Sequence, residues 1–251
     1  MKVFLAGTNS RKAEFIIPHK IPYLLESFYY IRDWQIEYIK SEDCKMFLLD
    51  SGAFTFMSAN NKVDFEDYLY KYINFINKHD IKYFFELDVD SVVGLKEVER
   101  YREILERETG KKSIPVWHKS RGKQYFLDMV KEYDYVAIGG IASGEIKRSE
   151  YKYLPWFIEQ AHKHNCKIHG LGFTNTKLLK TYKFDSVDST SWLAGSLGGH
   201  ILRFNAGQIE KAITGGGNKR LKNHLLADEH NLKEWLKYVR YMEGRGEWSE
   251  S

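Results

Sequence analysis

The chain has 251 residues, 43% hydrophobic and 15% aromatic, enough to bury a large core, which excludes disorder as its main theme. Its 38 Lys and Arg against 34 Asp and Glu leave a net charge of +4, which permits an anionic partner without requiring one. Two cysteines, Cys44 and Cys166, exclude a disulfide framework and a zinc site of three or four thiolates, and the N-terminal apolar stretch is too short for a signal or a membrane span. These features predict a soluble cytoplasmic protein with no membrane partner.

Taken in chain order, apolar runs bounded by turn residues recur at Val3 to Ala6, Met46 to Leu49, Tyr83 to Leu87, Ile114 to Trp117, Tyr135 to Ile138, Lys167 to Leu171 and Ser186 to Val187. Runs that do not alternate with polar residues suit parallel strands covered on both faces. Helical spacing fills the intervals, over 22–40, 95–108, 123–132, 150–164 and 176–182. The clearest stripe is Phe65, Tyr68, Leu69, Tyr72, Ile73 and Ile76, opened by Asp64 as an N-cap. Pro115 and Pro155 fall outside helix interiors or near helix starts.

This succession predicts an α/β fold, a single-domain (β/α)8 TIM barrel over residues 1–205, with Ile201 to Phe204 as the eighth strand. A doubly wound open sheet competes, because strand closure is not written in a sequence. Residues 206–251 read as a C-terminal extension. It holds a glycine loop at Gly215 to Gly217, a basic stretch from Asn218 to His224, a helix at about Asn231 to Tyr241 packed on the barrel, and a frayed end from Gly244.

A βα barrel builds its active site at the carboxyl ends of its strands. The residues that follow the runs are Asp50-Ser51-Gly52, Asp88-Val89-Asp90, His118-Lys119, Gly139-Gly140, Gly170-Leu171-Gly172 and Asp188-Ser189-Thr190. One strand-end acid equally suits a helix N-cap, and one glycine a tight turn. Several acids at one mouth can bind a metal, act as acid, base and nucleophile, or hydrogen-bond a polar substrate.

At these positions the chain resembles the tRNA-guanine transglycosylase superfamily, enzymes that exchange guanine for a 7-deazaguanine. Leu49-Asp50-Ser51-Gly52-Ala53-Phe54 is similar to the family's D-S-G-G-F-Q, with Ala53 for the second glycine and Thr55 for the glutamine. Ile138-Gly139-Gly140-Ile141-Ala142-Ser143-Gly144-Glu145 resembles G-G-L-A-V-G-E, the most specific match, and Gly170-Leu171-Gly172 resembles a later G-V-G. Lys183 to Asp188 falls where the family has G-I-D-x-F-D. The matched elements run in family order over about residues 46–192.

Carried over residue by residue, the resemblance implies Asp188 as nucleophile and Asp50 as general acid/base. It implies Asp88 at the guanine edge, His118 where a base-binding glutamine is usual, and base contacts from Gly139, Gly140, Ile141, Ser51 and Gly52. Asp185 is the rival to Asp188 as nucleophile and otherwise an expected substrate contact, and Phe54 and Phe173 are candidates to line the base pocket. No cofactor is implied.

The departures from the family pattern are informative. No cysteine follows Cys166, so the structural zinc subdomain of the tRNA enzymes is missing, and no metal is expected. Ser189-Thr190-Ser191-Trp192 replaces the family's P-T-R. The short zinc-less pattern resembles the phage and bacterial branch that inserts 7-deazaguanines of the preQ0 type into DNA. That resemblance makes DNA the expected partner, with tRNA as the alternative substrate. Two further readings are a non-catalytic nucleic-acid-binding barrel subunit and an ordinary retaining glycosidase. Lys219, Arg220 and Lys222 in the basic stretch, with Lys119 and Arg121 beside the fourth strand end, are the expected phosphate contacts.

Overall fold

Val3, Phe4 and Leu5 are buried on both faces of strand β1 (Lys2–Ala6), and this two-sided burial governs the sheet around it. The computed structural model of the chain describes residues 1–52, 64–213 and 223–247. The further strands are β2 (Tyr23–Ser27), β3 (Met46–Asp50), β4 (Val116–Trp117), β5 (Tyr135–Ile138), β6 (Lys167–Gly170) and β7 (Ser186–Ser189). With β1 they form one curled parallel sheet of seven strands in the order β3-β2-β1-β7-β6-β5-β4. Ser27 pairs with Asp50, Phe4 with Asp188 and Ile138 with Gly170, so the candidate acids and glycines come to one end.

The segment 83–86 lies between β3 and the approach to β4. The Leu49 N–H donates to the Tyr83 carbonyl at 3.0 Å and the Phe85 N–H to Leu49 at 2.9 Å. On the other side the Ile114 N–H donates to Phe84 at 2.8 Å and the Glu86 N–H to Ile114 at 3.1 Å. Each side amounts to a single parallel bridge rather than the full strand expected from Tyr83 to Leu87. The buried Tyr72 hydroxyl spans the first seam, reaching the carbonyls of Leu49 and Phe85 at 3.1 and 3.0 Å.

Helices α1 (Ala13–Ile16), α2 (Asp33–Ile39), α3 (Phe65–Lys78), α4 (Asp90–Val93), α5 (Leu95–Thr109), α6 (Gly122–Glu132), α7 (Leu154–Lys163) and α8 (Ala194–Gly198) follow the strands. The Asp64 carboxylate accepts from the N–H groups of Glu66 and Asp67, both at 3.1 Å, as an N-cap should, and α3 buries Leu69, Tyr72, Ile73 and Ile76. Pro155 sits in the first turn of α7, where its missing N–H has no helical partner to lose. The main core joins the strands to α9 (His224–Glu247) through Leu232, Trp235, Leu236, Tyr238, Val239 and Met242. A second cluster lies under α3 and α5.

Four expectations are corrected. The helix expected over 22–40 is strand β2 followed by the short α2, because the apolar Ile21 to Leu25 run gains ladder partners on both sides, β1 and β3. The helix over 176–182 shrinks to one 3-10 turn, Leu178–Lys180. The intended eighth strand, β8 (Ile201–Asn205), instead forms an antiparallel hairpin with β9 (Gln208–Ile213) outside the parallel sheet. Its outer edge is satisfied by α9: Asn231 Oδ1 accepts from the Leu202 N–H and Glu234 Oε2 from the Phe204 N–H, both at 2.7 Å. The C-terminal helix is longer than expected and runs on through 244–247 instead of fraying there. The boundary drawn at 205/206 falls in the hairpin turn. Among the described residues, no helix is long and apolar enough to cross a membrane.

Candidate active site

The carboxyl ends of the parallel strands open into a pocket of about 920 Å³. Asp50, Asp88, His118, Gly139, Gly140 and Asp188 all line it. Register explains the convergence: Asp50, His118, Gly139, Gly140 and Asp188 lie in or just after the carboxyl ends of β3, β4, β5 and β7, and Asp88 follows the bridged segment 83–86 that lies beside β3.

Asp50 ends β3, and its Oδ2 accepts from the Gly52 N–H at 3.1 Å. That turn needs Gly52 at φ +80°, and a Cβ there would stand 2.7 Å from Ser27 Oγ and 2.8 Å from Tyr29 Cβ. Burial pushes the Asp50 carboxyl up, the Gly52 N–H pulls it down, and the charges of Asp88 and Asp188 push it up again, to about 7. Ser51 is fully buried and does not line the pocket; its carbonyl accepts from the Tyr68 hydroxyl at 2.6 Å.

Asp88 and His118 form a tight pair, with Nε2 at 2.9 and 2.8 Å from the two Asp88 oxygens. The other ring nitrogen, Nδ1, lies 3.0 Å from Glu145 Oε2. Burial alone would lower the His118 pKa, but the hydrogen bonds and charges of Asp88 and Glu145 outweigh it and raise it to about 9. His118 is therefore an imidazolium at neutral pH, donating to a carboxylate from each side. Gly139 makes room for it, since a Cβ at that position would meet His118 Cε1 at 2.6 Å. Gly140, at φ +78°, turns the chain so that Glu145 folds back over it. Ile141 is buried in the main core rather than in the pocket lining.

Asp188 ends in the pocket with only 8% exposure, its Oδ1 held by the Gly172 N–H at 2.7 Å and by His169 Nε2 at 3.1 Å. Its rival is elsewhere: Asp185 precedes β7 at the opposite end of the sheet, accepting from the Ile168 N–H at 2.8 Å and pairing with His162 at 3.0 Å. The expected substrate contact from Asp185 is thus corrected. Two residues separate Asp185 from Asp188, and a strand carries them to opposite ends.

The expected phosphate contacts divide. Arg121 is corrected outright: its guanidinium is buried, forks onto Asp90 at 2.6 and 2.5 Å and reaches Glu86 at 2.9 Å. Lys119 is half exposed and paired with Glu150. Lys219, Arg220 and Lys222, like Phe54, lie outside the described residues. Phe173 packs in the core against Tyr151, Tyr182 and Phe184 instead of lining the base pocket.

Sequence reasoning passed over Glu26 and His169, and it named Glu145 only as the end of a motif, with no role in the site. Glu26 lines the pocket and accepts from the Thr8 N–H at 2.7 Å and the Thr8 hydroxyl at 2.5 Å. Burial pushes its carboxyl up to about 7 against those hydrogen bonds. Its segment, 22–40, carries helical spacing, and only the pairing of β2 with β1 and β3 turns Glu26 into the site. His169 was masked by standing inside an apolar run, although a histidine within a two-sided strand already needs partners. Among the described residues, no group of three or more His, Cys, Asp or Glu is arranged to hold a metal ion.

The site therefore offers one carboxyl, Asp188, held by fixed donors, two carboxyls, Asp50 and Glu26, that burial pushes up to about 7, and an imidazolium clasped by two acids. No family model matches the chain, and no curated protein matches it.

Proposed function

We propose that this protein is a base-exchange transglycosylase that replaces guanine in DNA with a 7-deazaguanine, on a sheet that segment 83–86 closes into a (β/α)8 barrel. The bridges of that segment to Leu49 and Ile114 support the closure. The observation that carries the chemistry is the unequal pair in one pocket, Asp188 fixed by two donors and Asp50 with its pKa raised to about 7.

In the first displacement the Asp188 carboxylate attacks C1′ of the nucleotide and the bond from C1′ to the base nitrogen breaks, its electron pair leaving with guanine. Guanine is a poor leaving group unless it is protonated, and Asp50 supplies that proton. The incoming 7-deazaguanine then returns a proton to Asp50, its ring nitrogen takes C1′, and Asp188 is released. One proton goes out and one comes back, so the cycle needs no oxidant or external acid. Asp88, with His118 and Glu145 behind it, supplies the acceptors for the polar edge of a flipped-out base.

The test is incorporation of a labelled 7-deazaguanine into guanine-containing DNA and, in parallel, into tRNA. Label in DNA is expected. Label only in tRNA moves the substrate but keeps the chemistry; release of free base without incorporation indicates a glycosidase. Binding with neither outcome indicates a non-catalytic subunit and overturns the proposal.

The pH profile gives a second check. Asp50 donates only while protonated, so kcat/KM is expected to fall about tenfold per pH unit above about 7, once the carboxyl has lost its proton. A profile flat between pH 6 and 9 would remove Asp50 from the acid role.

A further inference from the structure

The Asp188 carboxylate is held by a hydrogen-bonded chain that crosses the interior of the sheet. His169, on β6, has no exposed surface and sits between the rings of Phe4 and Phe85, at centroid distances of 6.0 and 5.5 Å. Its Nε2 is 3.1 Å from Asp188 Oδ1 and its Nδ1 is 2.6 Å from Ser186 Oγ. Ser186 in turn hydrogen-bonds the Tyr135 hydroxyl. Tyr135 and Ser186 line a cavity of about 640 Å³ on the opposite face, so the chain joins one end of the strands to the other.

The directions of these bonds follow from what each group can do. A carboxylate only accepts, so Nε2 must carry hydrogen. The phenol is the better donor of the hydroxyl pair, and if Tyr135 donates to Ser186, the Ser186 hydroxyl is free to donate to Nδ1. Nδ1 then accepts through its lone pair, and the ring hydrogen sits on Nε2. Oδ1 of Asp188 already takes two donors, Gly172 N–H and His169, while Oδ2 takes none among the described residues.

The geometry points to His169 as a positioning residue: fixed by Ser186 and Tyr135 as the Nε2–H tautomer, it locks Asp188 so that Oδ2 is the atom presented for attack. This deepens the proposed function and its kinetic consequence rests on that reading. The tautomer itself does not. Such orienting partners act by holding geometry rather than by touching substrate, as in any site where a buried second group fixes the reacting one.

The experiment has two arms, both on the 251-residue chain. In the first, the imidazole of His169 is observed by ¹⁵N NMR with histidine labelling, assigned by loss of its signals in His169→Gln. Hydrogen on Nε2 alone is expected; hydrogen on Nδ1, or on both nitrogens, overturns the proposal. In the second, His169→Leu and His169→Gln are compared in the exchange assay. His169→Leu is expected to lower kcat roughly 30-fold, the size of one lost hydrogen bond to a charged group, with KM for DNA within about twofold. His169→Gln keeps an N–H near the Nε2 position and is expected to recover most of the loss. Equal losses in both variants, tracking their melting temperatures, would reduce His169 to packing. Wild-type protein that exchanges no base sinks the function while the NMR arm still decides the tautomer.

Discussion

Asp188→Asn is expected to lower base exchange by about a thousandfold or more while leaving the protein folded. The substitution removes the charge that attacks C1′ and keeps the shape, and the amide oxygen can still accept from the Gly172 N–H and from His169. Little residual rate is expected, because without a nucleophile the two displacements collapse into one that must expel guanine directly. Denaturing wild-type protein during turnover should trap a covalent protein–DNA adduct, and peptide mapping should place it on Asp188. Asp185→Asn is the control: its carboxylate serves Ile168 and His162 at the far end of β7, so exchange should stay within about twofold of wild type. An adduct mapped to Asp185, or one that persists undiminished in Asp188→Asn, would reassign the nucleophile.

The parts of this site legible in the sequence are those written in strand ends. Asp50, Asp88, His118, Gly139 and Asp188 each follow an apolar run, and parallel strands bring such residues to one mouth whatever the sheet's detailed closure. What stayed hidden depends on neighbours distant in the chain. Tyr23 to Ser27 carries an apolar stretch that fits either period, and only its two flanking strands make it β2 and turn Glu26 into the pocket. Ile201 to Phe204 has strand composition but pairs with β9, because Asn231 and Glu234 of α9 take the edge it would have offered the sheet. His118 was visible as a polar strand end. Its charge was not, since that charge comes from Asp88 and Glu145, 30 and 27 residues away. Arg121 misleads for the same reason: beside Lys119 it reads as part of a basic rim, whereas its partners, Glu86 and Asp90, arrive from another strand end.

Arg121 carries the other large effect. Glu86 is fully buried, and burial pushes its carboxyl upward against the opposing pull of Arg121 and Arg102, at 2.9 and 3.0 Å. Arg121→Leu leaves Glu86 with the Arg102 guanidinium and the Val116 N–H and strips Asp90 of both guanidinium bonds. Removing one partner of a buried ion pair costs about 3–5 kcal/mol, and the surviving Arg102 contact argues for the lower end. At roughly 2–4 °C per kcal/mol for a chain of this size, the melting temperature should fall by roughly 10 °C. Lys119→Ala, by contrast, breaks a half-exposed pair with Glu150 and should cost no more than about 1 kcal/mol. DNA binding separates the two roles further. A phosphate contact adds about one to the slope of log affinity against log salt, so losing Arg121 should leave that slope unchanged. A variant that melts like wild type and binds DNA with a shallower salt slope would return Arg121 to the nucleic-acid surface. The arrangement has a functional edge as well: Arg121 lies 3.9 Å from Asp88, so the ion network that holds the fold also fixes the backdrop against which Asp88 and His118 are set.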